Sequence, residues 1–147
     1  MSDIFLHTTN INLDLQDKLF ETVERSFNKK LAPNYPSRKL CSAIYTKEFS
    51  CVGLISMIDS IYYLDKLAVL QEYRGKGLGN SLLKYIISQY CPIIWRSSKK
   101  NPFIEFYLNK STHVVETKLW NLFGYKYNID KDTYLKNKLI SIEEDLV

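Results

Sequence analysis

Histidine, cysteine and glycine are all scarce in these 147 residues, and each scarcity excludes something. His7 and His113 are the two histidines, so no metal-ligand set is visible and no zinc or other metal is expected. Cys41, Cys51 and Cys91 are odd in number, widely spaced and without a CxxC pair. Reduced thiols inside a cell are therefore expected rather than a disulfide framework, with Cys91, just before Pro92, read as a core residue. No apolar run approaches the ~20 residues of a membrane span. The opening Met1-Ser2-Asp3-Ile4 lacks the basic start and apolar core of a secretory signal, so a cytoplasmic setting is expected. The net charge of +4 comes with two small basic clusters, Lys29-Lys30 and Arg96 with Lys99-Lys100. That is too sparse for the basic stripe of a nucleic-acid binder and better suited to anionic small ligands. Repeats, low-complexity tracts and linkers are also missing, so residues 1–147 read as one domain.

Of the five glycines, three fall in Arg74-Gly75-Lys76-Gly77-Leu78-Gly79. The apolar run Ile61 to Leu70 before them reads as a strand. Leu82, Leu83, Ile86 and Ile87 after them recur at helical spacing, giving a helix over 77–89. A glycine-rich turn from strand to helix lets backbone N–H groups approach an anion at the positive end of the helix dipole. A nucleotide P-loop would need Gly-Lys-Ser/Thr, but Lys76 is followed by Gly77. A dinucleotide fingerprint would need G-x-G-x-x-G and an acid about 20 residues on, and no acid lies between Glu72 and Glu105. The pattern left is Arg-x-x-Gly-x-Gly, framed by Leu67-x-Val69 and Leu82-Leu83. Elsewhere, Ile4–His7, Leu40–Thr46, Cys51–Ile58 and 92–96 read as strands. Leu15, Leu19, Val23 and Phe27 predict a helix over 13–28 capped by Asn12 or Asp14. Asn101-Pro102 reads as a helix start. The last twenty residues read as a strand or surface segment with an acidic tail. Strands followed by β-α-β predict an α/β fold.

This frame resembles the coenzyme A loop of the GNAT superfamily of N-acetyltransferases. Two further stretches are more specific: Tyr63-Leu64-Asp65-Lys66-Leu67-Ala68-Val69, and Trp95-Arg96-Ser97 with Asn101-Pro102 and Tyr107. Across residues 40–125 they resemble the acetyltransferase domain of vertebrate-type N-acetylglutamate synthases and the bifunctional synthase/kinases. The resemblance implies a mixed sheet splayed between its fourth and fifth strands and flanked by helices. It implies acetyl-CoA as co-substrate, with its pyrophosphate on Arg74, Gly75, Lys76, Gly77, Leu78, Gly79 and Asn80. Its pantetheine would run along the strand at Leu67, Ala68 and Val69. Lys66, Arg96 and Asn101 would contact the acceptor, first L-glutamate. Tyr107 would protonate the leaving thiolate, so that Lys66, Asn101 and Tyr107 carry catalysis.

Chemistry alone gives these residues coherent roles: a carboxylate-bearing amine needs cations to anchor it, and charge-assisted bonds in a partly dry site are strong. Asp65 is a candidate base through water. The residue two after Arg96 is Ser98, where the family carries a second arginine, and Lys99 or Lys100 is the nearest substitute. The kinase domain of the family is not in this sequence. Open alternatives are another amine, a peptide or protein amino group, and a non-catalytic acyl-CoA-binding protein. The expected partners are a small-molecule substrate and, as an open expectation, a second copy in a homodimer; neither nucleic acid nor membrane is expected.

Overall fold

The structure, a computed structural model, describes residues 4–36 and 38–147. Seven strands form one sheet: β1 (Phe5–Thr8), β2 (Leu40–Thr46), β3 (Cys51–Ile58), β4 (Ile61–Val69), β5 (Ile93–Ser98), β6 (His113–Glu116) and β7 (Trp120–Tyr125). The helices are α1 (Leu13–Phe27), α2 (Leu78–Gln89), α3 (Ile104–Lys110) and α4 (Thr133–Ser141). The spatial order is β1-β2-β3-β4-β5-β7-β6. Neighbours are antiparallel except β4 and β5, because a parallel pair needs a long crossover and α2 provides it.

Helices cover both faces. Asn12 Oδ1 accepts the Leu15 N–H and caps α1, and Asn28 ends it in the left-handed region at φ 52. Between these ends, Leu19 and Val23 pack on Ala43, Val52, Leu54 and Ala68. On the opposite face Leu82, Leu83 and Ile86 of α2 pack on Ile44, Ile55, Leu64, Leu67 and Ile93.

Two irregularities open the sheet. β4 and β5 pair only at Tyr62↔Ile93 and Tyr63↔Ile94. Beyond that point β5 stays with β7, from Ile93↔Tyr125 to Ser98↔Trp120, while β4 stays with β3 as far as Cys51↔Val69. The two strands therefore diverge, which is the splay expected between the fourth and fifth strands. The second irregularity is a bulge. Leu54 faces Lys66 but the next residue, Ile55, faces Leu64, so Asp65 is an extra residue in β4. A bulge bends its strand and re-aims side chains. Here Leu64 and Leu67, three apart, share one core, and Asp65 and Lys66 both turn towards Tyr35 on the α1 side.

Several sequence expectations change. The Asn101-Pro102 helix starts later: Asn101 Oδ1 accepts the Phe103 N–H at 2.7 Å and Asn101 O accepts the Ile104 N–H, so this stretch is spent in a turn and α3 begins at Ile104. The apolar run from Val114 divides into the β6–β7 hairpin. The last twenty residues hold α4, not a strand. Asp132 accepts the Leu135 N–H at its start, and Leu135 and Leu139, one turn apart, are its buried residues. Cys91 is exposed rather than core: Tyr90 is the residue that turns inward, and β5 begins only at Ile93.

Candidate active site

Divergence of β4 from β5 leaves a cleft of about 110 Å³. One wall is Tyr63 to Leu67, the other Trp95 to Ser98. Asn101 and Tyr107 close its inner end; Phe27, Lys29, Glu144 and Leu146 border its mouth. The structure thus gathers Lys66, Leu67, Arg96, Asn101 and Tyr107. Ala68 is buried under α1. Val69, Arg74, Gly75, Gly77, Leu78, Gly79 and Asn80 line a separate groove of about 310 Å³ with Phe103 and Phe106. Lys76 lines a third hollow with Thr46, Ser50, Tyr73 and Ser81.

The glycine loop is built as an anion cradle. Gly75 and Gly77 sit at φ +82 and +78, where an L side chain is strained, and a Cβ on either would meet nothing within 4 Å. Gly77 is the N-cap of α2, so the first N–H groups of that helix have no carbonyl of their own. Gly79 is glycine for packing: a Cβ there would lie 3.3 Å from Val69 Cγ2. Arg74 turns away from the loop. Its Nε donates to Val69 O at 3.0 Å, and its Nη2 donates to Ser26 O at 2.7 Å and Ser26 Oγ at 3.0 Å. The side chain ties α1 to the end of β4, and the loop offers its backbone.

Tyr107 is 4% exposed, with its ring 5.8 Å from Trp95 and 5.3 Å from Phe123. Burial pushes its phenol well above the ordinary value, so it keeps its proton at neutral pH. Trp95 Nε1 and Ser97 Oγ are buried and have no hydrogen-bond partner among the described residues. Both residues line the cleft, and such groups are rare unless a polar ligand or water completes them.

Lys66 lies in a charge network. Its Nζ is 2.9 Å from Asp145 Oδ2, 3.4 Å from Asp65 Oδ1 and 4.8 Å from the Tyr35 ring centre. Asp65 is fully engaged: Tyr35 Oη donates to Oδ1, Ser56 Oγ donates to Oδ2, and Arg38 Nε pairs with Oδ2 at 2.8 Å. Burial opposes the charge on Arg38, but Asp65, Tyr63, Asp145 and Tyr35 together outweigh it and hold the guanidinium above its ordinary value. Burial, then the Asp65 charge, raises the Tyr35 phenol as well. Both Asp65 oxygens thus have partners, and the carboxylate organises the network.

Arg96 lines the cleft with its head turned to the C-terminal segment. Nη1 donates to Leu139 O and Ile142 O, Nη2 donates to Glu143 O, and the guanidinium stacks 3.7 Å from the Trp120 ring centre. Lys99 and Lys100 are not among the residues that line the cleft, and Lys99 Nζ lies 3.7 Å from Glu116 Oε2. The further cation on the cleft is Lys29, from the end of α1. Sequence reading missed Arg38 and Asp145, which come from a loop and from the tail and carry no local pattern. The bulge did leave a signal, the Leu64-x-x-Leu67 spacing, which breaks the alternation of a regular strand. Among the described residues no group of three or more His, Cys, Asp or Glu gathers at metal-binding distance, and no helix is long and apolar enough to cross a membrane.

Comparison with known proteins bears on the family and the fold. The family described as NAT, N-acetyltransferase, of N-acetylglutamate synthase matches residues 6–141. The acetylglutamate kinase of Xanthomonas campestris is 30% identical over 119 residues, 77% of this chain and 28% of its own length. The mitochondrial N-acetylglutamate synthase of Homo sapiens is 28% identical over 125 residues, 81% of this chain and 23% of its own. The chain thus spans about a quarter of the length of these relatives. Among solved structures, a GNAT-family acetyltransferase from Bacteroides thetaiotaomicron overlays with a TM-score of 0.66 at 16% identity, covering 93% of this chain and 97% of that one. The PaiA N-acetyltransferase of Thermoplasma acidophilum, in complex with coenzyme A, overlays with a TM-score of 0.58 at 14% identity, covering 84% and 99%. The fold is the GNAT fold.

Proposed function

Because the chain belongs to the N-acetyltransferase family of N-acetylglutamate synthase, we propose that it transfers an acetyl group from acetyl-CoA to the amino group of a small carboxylate-bearing acceptor, first L-glutamate. The observation that carries this reading is one cleft with a cation on its β4 wall and a protonated phenol at its inner end, Lys66 and Tyr107.

The residues present suit acetyl-CoA, which supplies the activated acyl group. Gly75, Gly77 and the first turn of α2 offer open backbone N–H groups to a pyrophosphate. Beyond Tyr63 the β5-facing edge of β4 has no strand partner, so apart from Val69 O, which accepts from Arg74 and Ser26, its peptide groups at Leu67–Val69 are open to an amide-rich chain. The apolar Phe103 and Phe106 wall the same groove.

Direct transfer then asks little of the protein beyond positioning. Lys66 holds the acceptor carboxylate, which aims the amine into the splay. An N–H of the β4 edge at Ala68–Val69 stabilises charge developing on the acyl oxygen. Tyr107 gives its proton to the leaving sulfur, and Asn101 orients the acceptor from the turn before α3. The amine loses its own proton to water. Lys29 meets a second acceptor carboxylate, the office Ser98 cannot fill.

The test is coenzyme A release from acetyl-CoA with amino acids, polyamines and peptides as acceptors. Turnover is expected with glutamate, with KM for it rising at least about tenfold in Lys66→Met. Equal turnover of amines that lack a carboxylate would refute the acceptor assignment.

A further inference from the structure

Lys66, proposed to meet the acceptor, and Arg96 across the cleft from it are both engaged by one segment. Residues 143–147 leave the end of α4 and cross the mouth of the splay. On the β5 side Arg96 Nη2 donates to Glu143 O. On the α1 side the Ala32 N–H donates to Asp145 O at 2.7 Å, Lys30 and Val147 exchange backbone hydrogen bonds, and Leu31 bridges Leu146. Leu146 packs into the α1 core. Between these anchors the Asp145 carboxylate reaches Lys66 at 2.9 Å and Arg38 at 3.9 Å.

We propose that this segment is a strap competing with the acceptor, its Asp145 carboxylate standing where an acceptor carboxylate pairs with Lys66. The inference rests on the reading of Lys66 above. Three observations carry it. The group on Lys66 is chemically the one the acceptor would bring. Side chains of Lys66 and Asp145 are only 12% and 10% exposed, so the pair is buried rather than on the surface, and Lys66 lines the cleft together with Glu144 and Leu146, the two neighbours of Asp145. The cleft beneath the strap, about 110 Å³, is also smaller than the roughly 300 Å³ at which ligand pockets begin.

Displacing the strap frees Lys66 from Asp145 and Arg96 Nη2 from Glu143 O together. A carboxylate compensates Lys66 for the partner it loses; an acceptor without one does not. The strap therefore lowers affinity for every acceptor by the fraction of time it is closed, and penalises amines lacking a carboxylate most. In this way Asp145 sets specificity without touching the reacting atoms.

The experiment is calorimetric binding of L-glutamate to the full chain in the presence of coenzyme A. Asp145→Asn should tighten binding, by about tenfold if the strap is closed nine-tenths of the time, with coenzyme A affinity unchanged as the check on folding. Leu146→Ala loosens the strap but keeps the charge, and should move affinity the same way. Unchanged or weaker binding in both variants, with binding lost in Lys66→Met, overturns the strap and leaves the acceptor site standing. If Lys66→Met binds glutamate like the parent, the site reading fails and the strap inference with it.

Discussion

Replacing Tyr107 with phenylalanine removes one oxygen from the cleft and little else. The ring stays between Trp95 and Phe123, so the core it belongs to is preserved. Because burial holds the phenol protonated, the group is a proton donor throughout the range of about pH 6–9. Positioned general acids contribute about 10²–10⁴ in rate. A thiol, with an ordinary pKa of about 8.5, is a fair leaving group and needs the least help, so the lower end applies. We expect kcat to fall about 100-fold, or about 2.7 kcal/mol, with KM for both substrates changing less than about twofold. The pH profile should keep its shape, because the phenol does not titrate in this window. Steady-state kinetics at several pH values read all three quantities. A fall in kcat below about threefold, or one matched by a rise in coenzyme KM, would refute the assignment and leave Tyr107 a packing residue.

Alkaline pH should unfold the protein steeply. Burial raises the phenols of Tyr35, Tyr63 and Tyr107, so their stabilisation is complete below pH 10.0, the ordinary tyrosine value. It is lost as pH rises from there towards the folded values, at about 1.4 kcal/mol per pH unit for each phenol, or about 4 for all three. Urea midpoints that stay flat between about pH 9 and 11 would contradict this. Gly77→Ala should cost about 1–2 kcal/mol in urea unfolding, because φ is +78 while the space around a Cβ is open. An unchanged midpoint would mean that the loop relaxes.

What could be read from the sequence was what neighbouring residues decide among themselves. The Leu15, Leu19, Val23 and Phe27 stripe and the Asn12 cap fix α1 almost to the residue. Gly75, Gly77 and Gly79 announce the turn into α2 because each glycine answers a local demand. Lys66, Asn101 and Tyr107 could be singled out by motif, and they do line one cleft. What escaped depends on partners distant in sequence. α4 has a narrow stripe of Leu135 and Leu139 that reads as helix only once there is a sheet to cover. The two partners of Arg96 and Lys66 on the tail lie some fifty to eighty positions away, Glu143 and Asp145, and no periodicity links them. Asn101-Pro102 was misread by two residues because a side chain that caps a helix also closes an Asx turn.

The extra residue at position 65 has a consequence for how β4 tolerates changes in length. Tyr62 and Leu64 before the bulge, and Leu67 and Val69 after it, serve the same core. Removing one residue between Leu64 and Leu67 would restore strict alternation with both halves still opposite their partners on β3, and would cost a member of the Asp65–Lys66 charge network instead. A deletion elsewhere in the strand would slip one half by a residue and turn its apolar side chains outward. Substitutions along this strand change one contact at a time, whereas a single-codon deletion outside the bulge would invert half of it. The bulge is therefore the place in β4 where a change of length touches the charge network and spares the register.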